Sequence, residues 1–249
     1  MENEELLRRA EDLSARCGKS GMVTNTFFLT PAEQMTVKNW AKFGTDCTVV
    51  FCGGGDDCER QAAFFLPYYM AEEDFSPAEY IRAVKLKAGF GEPGHRDYLG
   101  AILGLGIRRE WVGDIRIFGD TAYVFCLGSV ESHLLSSLDK VGRYGVKTSE
   151  TALEDVPVPE RKVKKVSFTV KSVRLDAVAA GMFGMSRSEM SRLIEAGSVN
   201  LNYVQCLKCD APVKDGDILS VRGSGKGTVS ISQTVSRKGR IFLEGEIYK

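Results

Sequence analysis

The sequence predicts a mixed α+β fold that is divided into three parts. Helical spacing of apolar residues alternates with short runs typical of strands along the 249 residues, and 43% of these are hydrophobic, enough to bury a core. The sign of the charge changes after residue 160, with 17 basic and 25 acidic residues before that point and 16 basic and 8 acidic residues after it. We expect a small N-terminal α/β unit (1–73), a middle domain (74–149), a linker (150–165) and a basic C-terminal unit (166–249).

The N-terminal unit is predicted to contain two helices and two strands. Apolar residues follow helical spacing from Glu4 to Cys17. The pair Thr30-Pro31, followed by Glu33, is typical of a helix start, and that helix should run to about Lys42. Cys47–Phe51 and Gln61–Leu66 indicate short strands on either side of a glycine-rich turn.

The middle domain is predicted to begin with a helix. The capping-box pattern Ser76-Pro77-Ala78-Glu79 indicates a helix that runs to about Ala88, and a second helix should span Arg96 to Leu105. Val112–Phe118 and Ala122–Leu127 indicate a hairpin, and a last helix should run from about Val130 to Val141. This succession resembles an α/β plait of RNA-binding type.

The segment that follows carries charges and two prolines without a periodic pattern, which indicates a linker between domains.

Composition argues against a membrane protein and against an exported one. There is no apolar run of 18 residues, and the mean hydropathy is −0.13. The first residues, Met1 to Glu5, are acidic where a signal peptide would be basic. Seven cysteines at irregular spacings indicate reduced thiols. We therefore expect a cytoplasmic protein that has no contact with membranes.

Three glycine- or cysteine-containing motifs resemble cofactor or metal sites but lack the required context. Gly89–Gly94 matches G-x-G-x-x-G, but a helix is predicted before it, which favours a tight turn. Gly223–Thr228 resembles the end of a P-loop, but a strand pattern follows it. Cys206 and Cys209 form a single C-x-x-C, whereas zinc prefers four ligands. We expect no catalytic residue, cofactor or metal ion.

The C-terminal unit is predicted to place two short helices on a small sheet. Arg174-Leu175-Asp176 opens the first helix, and the capping box Ser186-Arg187-Ser188-Glu189 opens the second, which Gly197 ends. Val199–Asn202 and the end of Val213–Gly223 indicate strands.

The exposed positions of this unit are mostly cationic, and they form the predicted RNA-binding site. They are Arg174, Ser186, Arg187, Arg192, Asn202, Lys208, Arg222 and Lys226. Arg187 lies in the first turn of its helix, where free backbone N–H groups also favour an anion. The planar guanidinium suits phosphate, and such a surface favours structured RNA over DNA sequence. Two alternatives stay open: Arg192 could pair with Glu189, and the basic unit could simply dock on the acidic part of the chain.

These residues resemble known RNA-binding sequences. Arg174-Leu175-Asp176, Ser186-Arg187, the run from Ile194 to Val199, Asn202 and Gly216-Asp217-Ile218 are similar to the S4 RNA-binding domain. With Leu219–Lys226 and His95–Ile107, the chain resembles the YlmH family. The resemblance implies a middle RNA-binding domain of α/β-plait type and a C-terminal S4 domain of αL type with a β tail. It also implies association with the large ribosomal subunit in the rescue of stalled translation, with ribosomal RNA and tRNA as the partner RNAs.

Two functions from different classes are compatible with this pattern. The first is a non-catalytic RNA-binding protein, which we expect to be a monomer. The second is an RNA-modifying enzyme of the pseudouridine synthase or methyltransferase class that uses the S4 unit for delivery. Pseudouridine synthases carry a catalytic R-L-D, but Arg174-Leu175-Asp176 here begins the S4 helix, so we favour the first.

Overall fold

In the computed structural model, the chain divides into two compact units, Met1–Pro159 and Glu160–Lys249. The structure describes residues 2–160, 163–235 and 239–248. Within those ranges the chain forms six α-helices and fourteen β-strands, which are arranged in three antiparallel sheets. None of the described helices is long and apolar enough to span a membrane.

The N-terminal part of the first unit is a three-stranded sheet with two helices on one face. In chain order the elements are α1 (Glu2–Ser20), β1 (Thr24–Leu29), α2 (Pro31–Ala41), β2 (Thr48–Cys52) and β3 (Gln61–Leu66), and the strand order is β1-β3-β2. The helices pack on this sheet through the buried Ala10, Cys17, Val37 and Phe65. Both helices and the strands β2 and β3 confirm the sequence prediction, whereas β1 was not predicted.

Thr30 caps α2 as its position before Pro31 predicts. The Thr30 backbone N–H donates to Glu33 Oε2 at 2.6 Å, and the Glu33 N–H donates to Thr30 Oγ1 at 3.4 Å. The two residues thereby satisfy two backbone donors that would otherwise have no partner at the helix start.

The rest of the first unit is a five-stranded sheet with two helices on one face. In chain order the elements are β4 (Ile81–Ala88), α3 (His95–Gly104), β5 (Val112–Phe118), β6 (Thr121–Leu127), α4 (Gly128–Ser137), β7 (Lys140–Val141) and β8 (Tyr144–Thr151). The strand order is β5-β6-β4-β8-β7. The succession β4-α3-β5-β6-α4-β8 is the β-α-β-β-α-β arrangement of ferredoxin-like folds.

The helix predicted from Ser76 to Ala88 is wrong. Pro77–Glu79 forms one 3₁₀ turn, and Ile81–Ala88 is the central strand β4. Its residues alternate between a face that packs on the helices and a face that begins against the three-stranded sheet, which is the period of a strand and not of a helix. The last predicted helix also ends early, at Ser137, because Lys140–Val141 pairs as a strand with β8, which was not predicted.

The second face of the five-stranded sheet packs in part against the three-stranded sheet. Phe28 and Phe64 of one sheet share a core with Ile81, Ala83 and Phe125 of the other. The predicted N-terminal and middle domains therefore share buried surface within one unit.

The segment predicted as a linker contains ordered structure. Residues 150–151 complete β8, Leu153–Asp155 forms a 3₁₀ turn, and Val156 is buried in the core between the two sheets. Arg161 and Lys162 lie outside the described residues.

The glycine motif Gly89–Gly94 joins a strand, β4, to the helix α3, so the preceding helix assumed from the sequence is wrong. The loop is nevertheless a packed turn. A Cβ at Gly91, which has φ +71°, would lie 2.5 Å from the Tyr144 ring, and the Gly94 N–H donates to Asp97 Oδ2 at 2.8 Å. The start of α3 is therefore occupied by a carboxylate of its own first turn.

The second unit is a six-stranded sheet with two helices packed on one face. In chain order the elements are β9 (Val163–Val170), α5 (Leu175–Phe183), α6 (Arg187–Glu195), β10 (Val199–Leu201), β11 (Val204–Gln205), β12 (Ile218–Val221), β13 (Gly225–Val235) and β14 (Ile241–Tyr248). The strand order is β11-β10-β12-β13-β14-β9. Leu175 and Ile194 of the helices pack on Leu219, Val221 and Leu243 of the sheet. Both helices begin where the sequence predicts.

Candidate nucleic-acid interface

Arg174 and Arg187 converge on one buried carboxylate. Asp176 is 4% exposed in the first turn of α5. Arg187 Nη2 donates to Asp176 Oδ2 at 2.6 Å, and Arg174 donates through Nε to Oδ1 at 3.3 Å and through Nη2 to Oδ2 at 3.4 Å. We call these three residues the arginine–aspartate cluster. It joins the start of α5 to the start of α6.

Hydrogen bonds decide the charge state of Asp176. Burial by itself would raise the pKa of this carboxyl, but the hydrogen bonds from Arg187 and Arg174 outweigh burial, and the pKa lies below its ordinary value. The cluster therefore holds two positive charges and one negative charge. The side chains of Arg174 and Arg187 stay 43% and 60% exposed, so both guanidinium groups are fixed on one side and open to solvent on the other.

The loop between β11 and β12, which carries Lys208, contacts both helices of the site. The Asp176 N–H donates to the Cys209 carbonyl at 3.0 Å, and Cys209 Sγ lies 3.8 Å from the Ser191 carbonyl of α6. Lys208 is the neighbour of Cys209 and Arg192 is the neighbour of Ser191, and both are exposed. We call Arg174, Arg187, Arg192 and Lys208 the helix-side cations.

The pairing of Arg192 with Glu189, considered from the sequence, does not occur among the described residues.

Ser186 acts as the N-cap of α6. Its Oγ accepts from the Glu189 N–H at 3.2 Å and lies 3.2 Å from Ser188 Oγ. The cap fixes the first turn of α6 and thereby the position of Arg187, the first residue of the helix.

Asn202 is used inside the fold. Its Nδ2 donates to Asp217 Oδ1 at 2.8 Å, and its Oδ1 accepts from the Ile218 N–H at 2.9 Å. Asn202 and Tyr203 both have positive φ, +50° and +67°, as a two-residue hairpin turn requires. The Asn202 amide therefore ties the β10–β11 turn to β12.

Lys226 and Arg222 are not members of the arginine–aspartate cluster. Lys226 pairs with Ser220 of β12, whereas the neighbouring Leu219 and Val221 face the helices, so Lys226 lies on the opposite face of the sheet. Its Nζ is 5.5 Å from the centre of the Tyr203 ring, and burial lowers its pKa. Arg222 is exposed in the β12–β13 turn, and its N–H donates to the Ser198 carbonyl at 2.9 Å.

The structure thus brings Arg174 and Arg187 together at Asp176. Arg192 lies on α6, and Lys208 lies in the loop that contacts α6 through Cys209. Ser186 and Asn202 support the backbone, while Arg222 and Lys226 belong to the β12–β13 hairpin. Sequence reasoning missed the role of Asp176 as a shared anchor. The signal was an acid directly after Arg174-Leu175, at the start of a helix whose neighbour begins with Arg187.

The two thiols of the C-x-x-C contact backbone carbonyls. Cys206 Sγ lies 3.7 Å from the Lys208 carbonyl, and Cys209 Sγ faces Ser191 as described. In the described ranges, no three side chains of the His, Cys, Asp or Glu type form a group that could hold a metal ion.

Residues 71–155 match the domain family described as "Putative RNA-binding domain in YlmH". The chain is 31% identical over 217 residues to "Ribosome-associated protein quality control protein P2" of Bacillus subtilis (strain 168), which covers 86% of this chain and 83% of the relative. The chain belongs to the YlmH family. The relative bears the name of a quality-control protein and not the name of an enzyme.

A solved structure shares the fold. The chain described as "Cell division protein ylmH from Streptococcus pneumoniae" superposes with a TM-score of 0.51 at 21% identity, over 63% of this chain and 96% of that one.

Proposed function

We propose that the protein is a non-catalytic RNA-binding protein of the cytoplasm that binds structured ribosomal RNA on the large ribosomal subunit, with tRNA as a neighbouring ligand. Its role in this proposal is the rescue or quality control of stalled translation. The similarity to a ribosome-associated quality-control protein and the family of the middle domain support it. The helix-side cations are the proposed contact site.

The arginine–aspartate cluster carries this proposal. An exposed arginine on a long flexible side chain loses conformational entropy when it binds phosphate. Asp176 has already fixed Arg174 and Arg187, while the exposed parts of both guanidinium groups retain donors for a second acceptor. Pre-positioned forks of this kind suit bidentate contact with phosphate. The free backbone N–H groups at the start of α6 lie beside Arg187 and add to the attraction for an anion.

The contacts of Asp176 also bear on the alternative, an RNA-modifying enzyme. A catalytic carboxylate must reach the reacting base, but both oxygens of Asp176 accept hydrogen bonds from arginines and the residue is 4% exposed. This arrangement supports a positioning role for the R-L-D motif.

Co-sedimentation of the full chain with large ribosomal subunits tests the site. We choose the double variant Arg192→Glu/Lys208→Glu because both residues are exposed and neither holds the fold together. Reversal of Arg187 would instead put a second carboxylate against Asp176 and confuse loss of binding with loss of folding. The double variant should no longer pellet with the large subunits and should remain in the supernatant. In binding to a ribosomal RNA hairpin, the slope of log K against log salt should shrink by about 2, one for each lost phosphate contact.

The matched control is Lys164→Glu/Lys165→Glu, which changes the charge equally on the edge strand β9 of the same unit. Lys165 lies 3.1 Å from Glu246, but both side chains are exposed, so the loss of this ion pair should cost at most about 1 kcal/mol. The control should sediment like the unaltered protein. Equal sedimentation of all three proteins would reject the site, and equal loss in both double variants would show that only net charge matters.

A second variant examines geometry at constant charge. Arg187→Lys keeps the positive charge but loses the fork that bonds Asp176 and phosphate together. We expect weaker binding with little change in the salt slope. Unchanged affinity would show that Arg187 acts only as a point charge.

A further inference from the structure

A part of the five-stranded sheet lies beyond the region that the three-stranded sheet covers. Along β4, one set of alternate residues, Val84 and Leu86, faces the helices. The other set begins with Ile81 and Ala83, which are buried against the three-stranded sheet. The same face continues with Lys85, which is partly exposed, and Lys87, whose side chain is 63% exposed.

The neighbouring strands extend this region with aromatic rings and a third lysine. In register, Lys85 lies opposite Tyr123, and Lys87 lies opposite Lys147, which is exposed. The Tyr123 and Phe118 rings meet edge to face with their centres 6.0 Å apart, and Lys85 Nζ is 5.9 Å from the centre of the Tyr123 ring. We call Lys85, Lys87, Phe118, Tyr123 and Lys147 the lysine–aromatic strip.

The charge of the strip is opposite to that of its surroundings. Residues 1–160 contain 17 basic and 25 acidic residues, a net charge of −8, yet the strip carries three lysines. Asp120, in the turn between β5 and β6, lies 4.0 Å from Lys87 Nζ and offsets one of these charges. A local excess of cations in an acidic unit is complementary to an anionic partner.

The rings specify which anion fits. Unpaired bases stack on aromatic side chains that project from a sheet, while nearby lysines contact the backbone phosphates. A double helix keeps its bases stacked and offers no base face to such rings. We propose that the lysine–aromatic strip binds an unpaired RNA segment, with bases on Tyr123 and Phe118 and phosphates at the three lysines. This is a second RNA surface in addition to the helix-side cations, and it rests on the proposed RNA-binding function of the chain.

The experiment measures binding of the full chain to two RNA probes, a fluorescent uridine 12-mer and a blunt hairpin without unpaired ends. Lys85→Glu/Lys147→Glu should weaken binding of the 12-mer at least about ten-fold and lower the salt slope by about 1.4, because a single strand contributes about 0.7 per phosphate contact. Tyr123→Leu keeps an apolar side chain but removes the ring. It should lower the affinity for the 12-mer about five-fold, which corresponds to the lower end of the free energy of one stacking contact. Binding of the hairpin should not change in either variant.

The control is Lys19→Glu/Lys42→Glu, which reverses two exposed lysines near the ends of α1 and α2 in the same unit. It should bind the 12-mer like the unaltered protein. Arg192→Glu/Lys208→Glu should show the reverse pattern, with loss of the hairpin and retention of the 12-mer, so failure of the strip and failure of the helix-side cations are separate results.

Three outcomes would overturn the strip as an RNA surface. In the first, the lysine variant binds the 12-mer like the control. In the second, Tyr123→Leu binds the 12-mer with full affinity, and polyglutamate displaces the fluorescent 12-mer as effectively as unlabelled RNA does. That result would indicate an acidic protein partner. In the third, the strip variants weaken both probes equally. Tryptophan fluorescence during urea unfolding identifies any variant whose first unit no longer folds, since both Trp40 and Trp111 lie there. In that case Lys147→Gln, at an exposed position, provides the same comparison.

Discussion

Replacement of Asp176 by asparagine separates the role of positive charge from the role of position in the second unit. The substitution keeps the shape of the side chain and removes one negative charge, so the cluster gains net positive charge. If net charge alone governed affinity, Asp176→Asn would bind RNA more tightly. Because Arg174 and Arg187 would lose the anchor that holds them, we expect weaker binding.

The stability cost can be worked from the contacts. A hydrogen bond to a charged group contributes about 1.5–3 kcal/mol, and breaking a fully buried ion pair costs about 3–5 kcal/mol. Here the carboxylate is buried, but its partners are 43% and 60% exposed and can be hydrated again. The asparagine oxygen can still accept from Arg187, while its NH₂ group faces donors of Arg174. We therefore expect a loss of about 2 kcal/mol, in the lower part of the range for charged hydrogen bonds.

Hydrogen exchange followed by mass spectrometry measures this cost in α5 and α6. A loss of 2 kcal/mol accelerates exchange through unfolding of the second unit by about 30-fold. Tryptophan fluorescence should not change, since Trp40 and Trp111 lie in the first unit. Asp210→Asn, at an exposed position of the neighbouring loop, changes the charge equally and should leave exchange unaltered.

The effect of Asp176→Asn should also depend on pH. The folded-state pKa of Asp176 is depressed, so its stabilisation is complete above the ordinary value of 3.8 and is lost as pH falls through the lower folded value. The difference between the two proteins should therefore vanish in acid. Unchanged exchange at neutral pH, or tighter RNA binding, would refute the anchoring role of Asp176.

Three further predictions concern stability and thiol reactivity. Gly227→Ala should destabilise the second unit by at least about 2 kcal/mol, as overpacking of a core does, because the new Cβ would clash with Met182 Cε and with the Glu246 carbonyl oxygen. Hydrogen exchange in β13 measures this loss, and exchange as slow as in the unaltered protein would contradict it. Thr30→Ala should cost about 1 kcal/mol in urea unfolding followed by tryptophan fluorescence, the usual value of an N-cap, and Thr30→Ser should restore most of it. Burial raises the pKa of Cys17 and of Cys126 to about 12. Iodoacetamide at pH 8 should therefore leave both thiols unmodified in the folded protein and alkylate them in urea. Rapid alkylation of either thiol in the folded protein would contradict this prediction.

Local signals in the sequence were sufficient for much of the second unit. Ser186 indicates a helix start because its hydroxyl can accept a hydrogen bond from a free backbone N–H of the first turn, and α6 begins at the next residue, Arg187. The signals did not determine on which face of the sheet a residue lies. Lys226 and Arg187 are both cations of one small unit, but the pairing of β12 with β13 turns Lys226 away from the helices. Likewise, Asn202 carries a polar side chain in a hairpin turn, and only the register with Asp217 and Ile218 shows that its amide is already bonded.

The wrong prediction for β4 shows how one element decides what a surface can do. Ser76 to Glu79 carries the residues of a helix start, and this local pattern outweighed the alternation that follows it. In a helix, Lys85 and Lys87 would point about 200° apart, since each residue turns the chain by about 100°. In a strand, residues two apart share a face, so the two lysines point the same way and stand beside Tyr123 and Lys147. The secondary structure of these eight residues, Ile81–Ala88, therefore determines whether the first unit presents scattered charges or a continuous cationic strip.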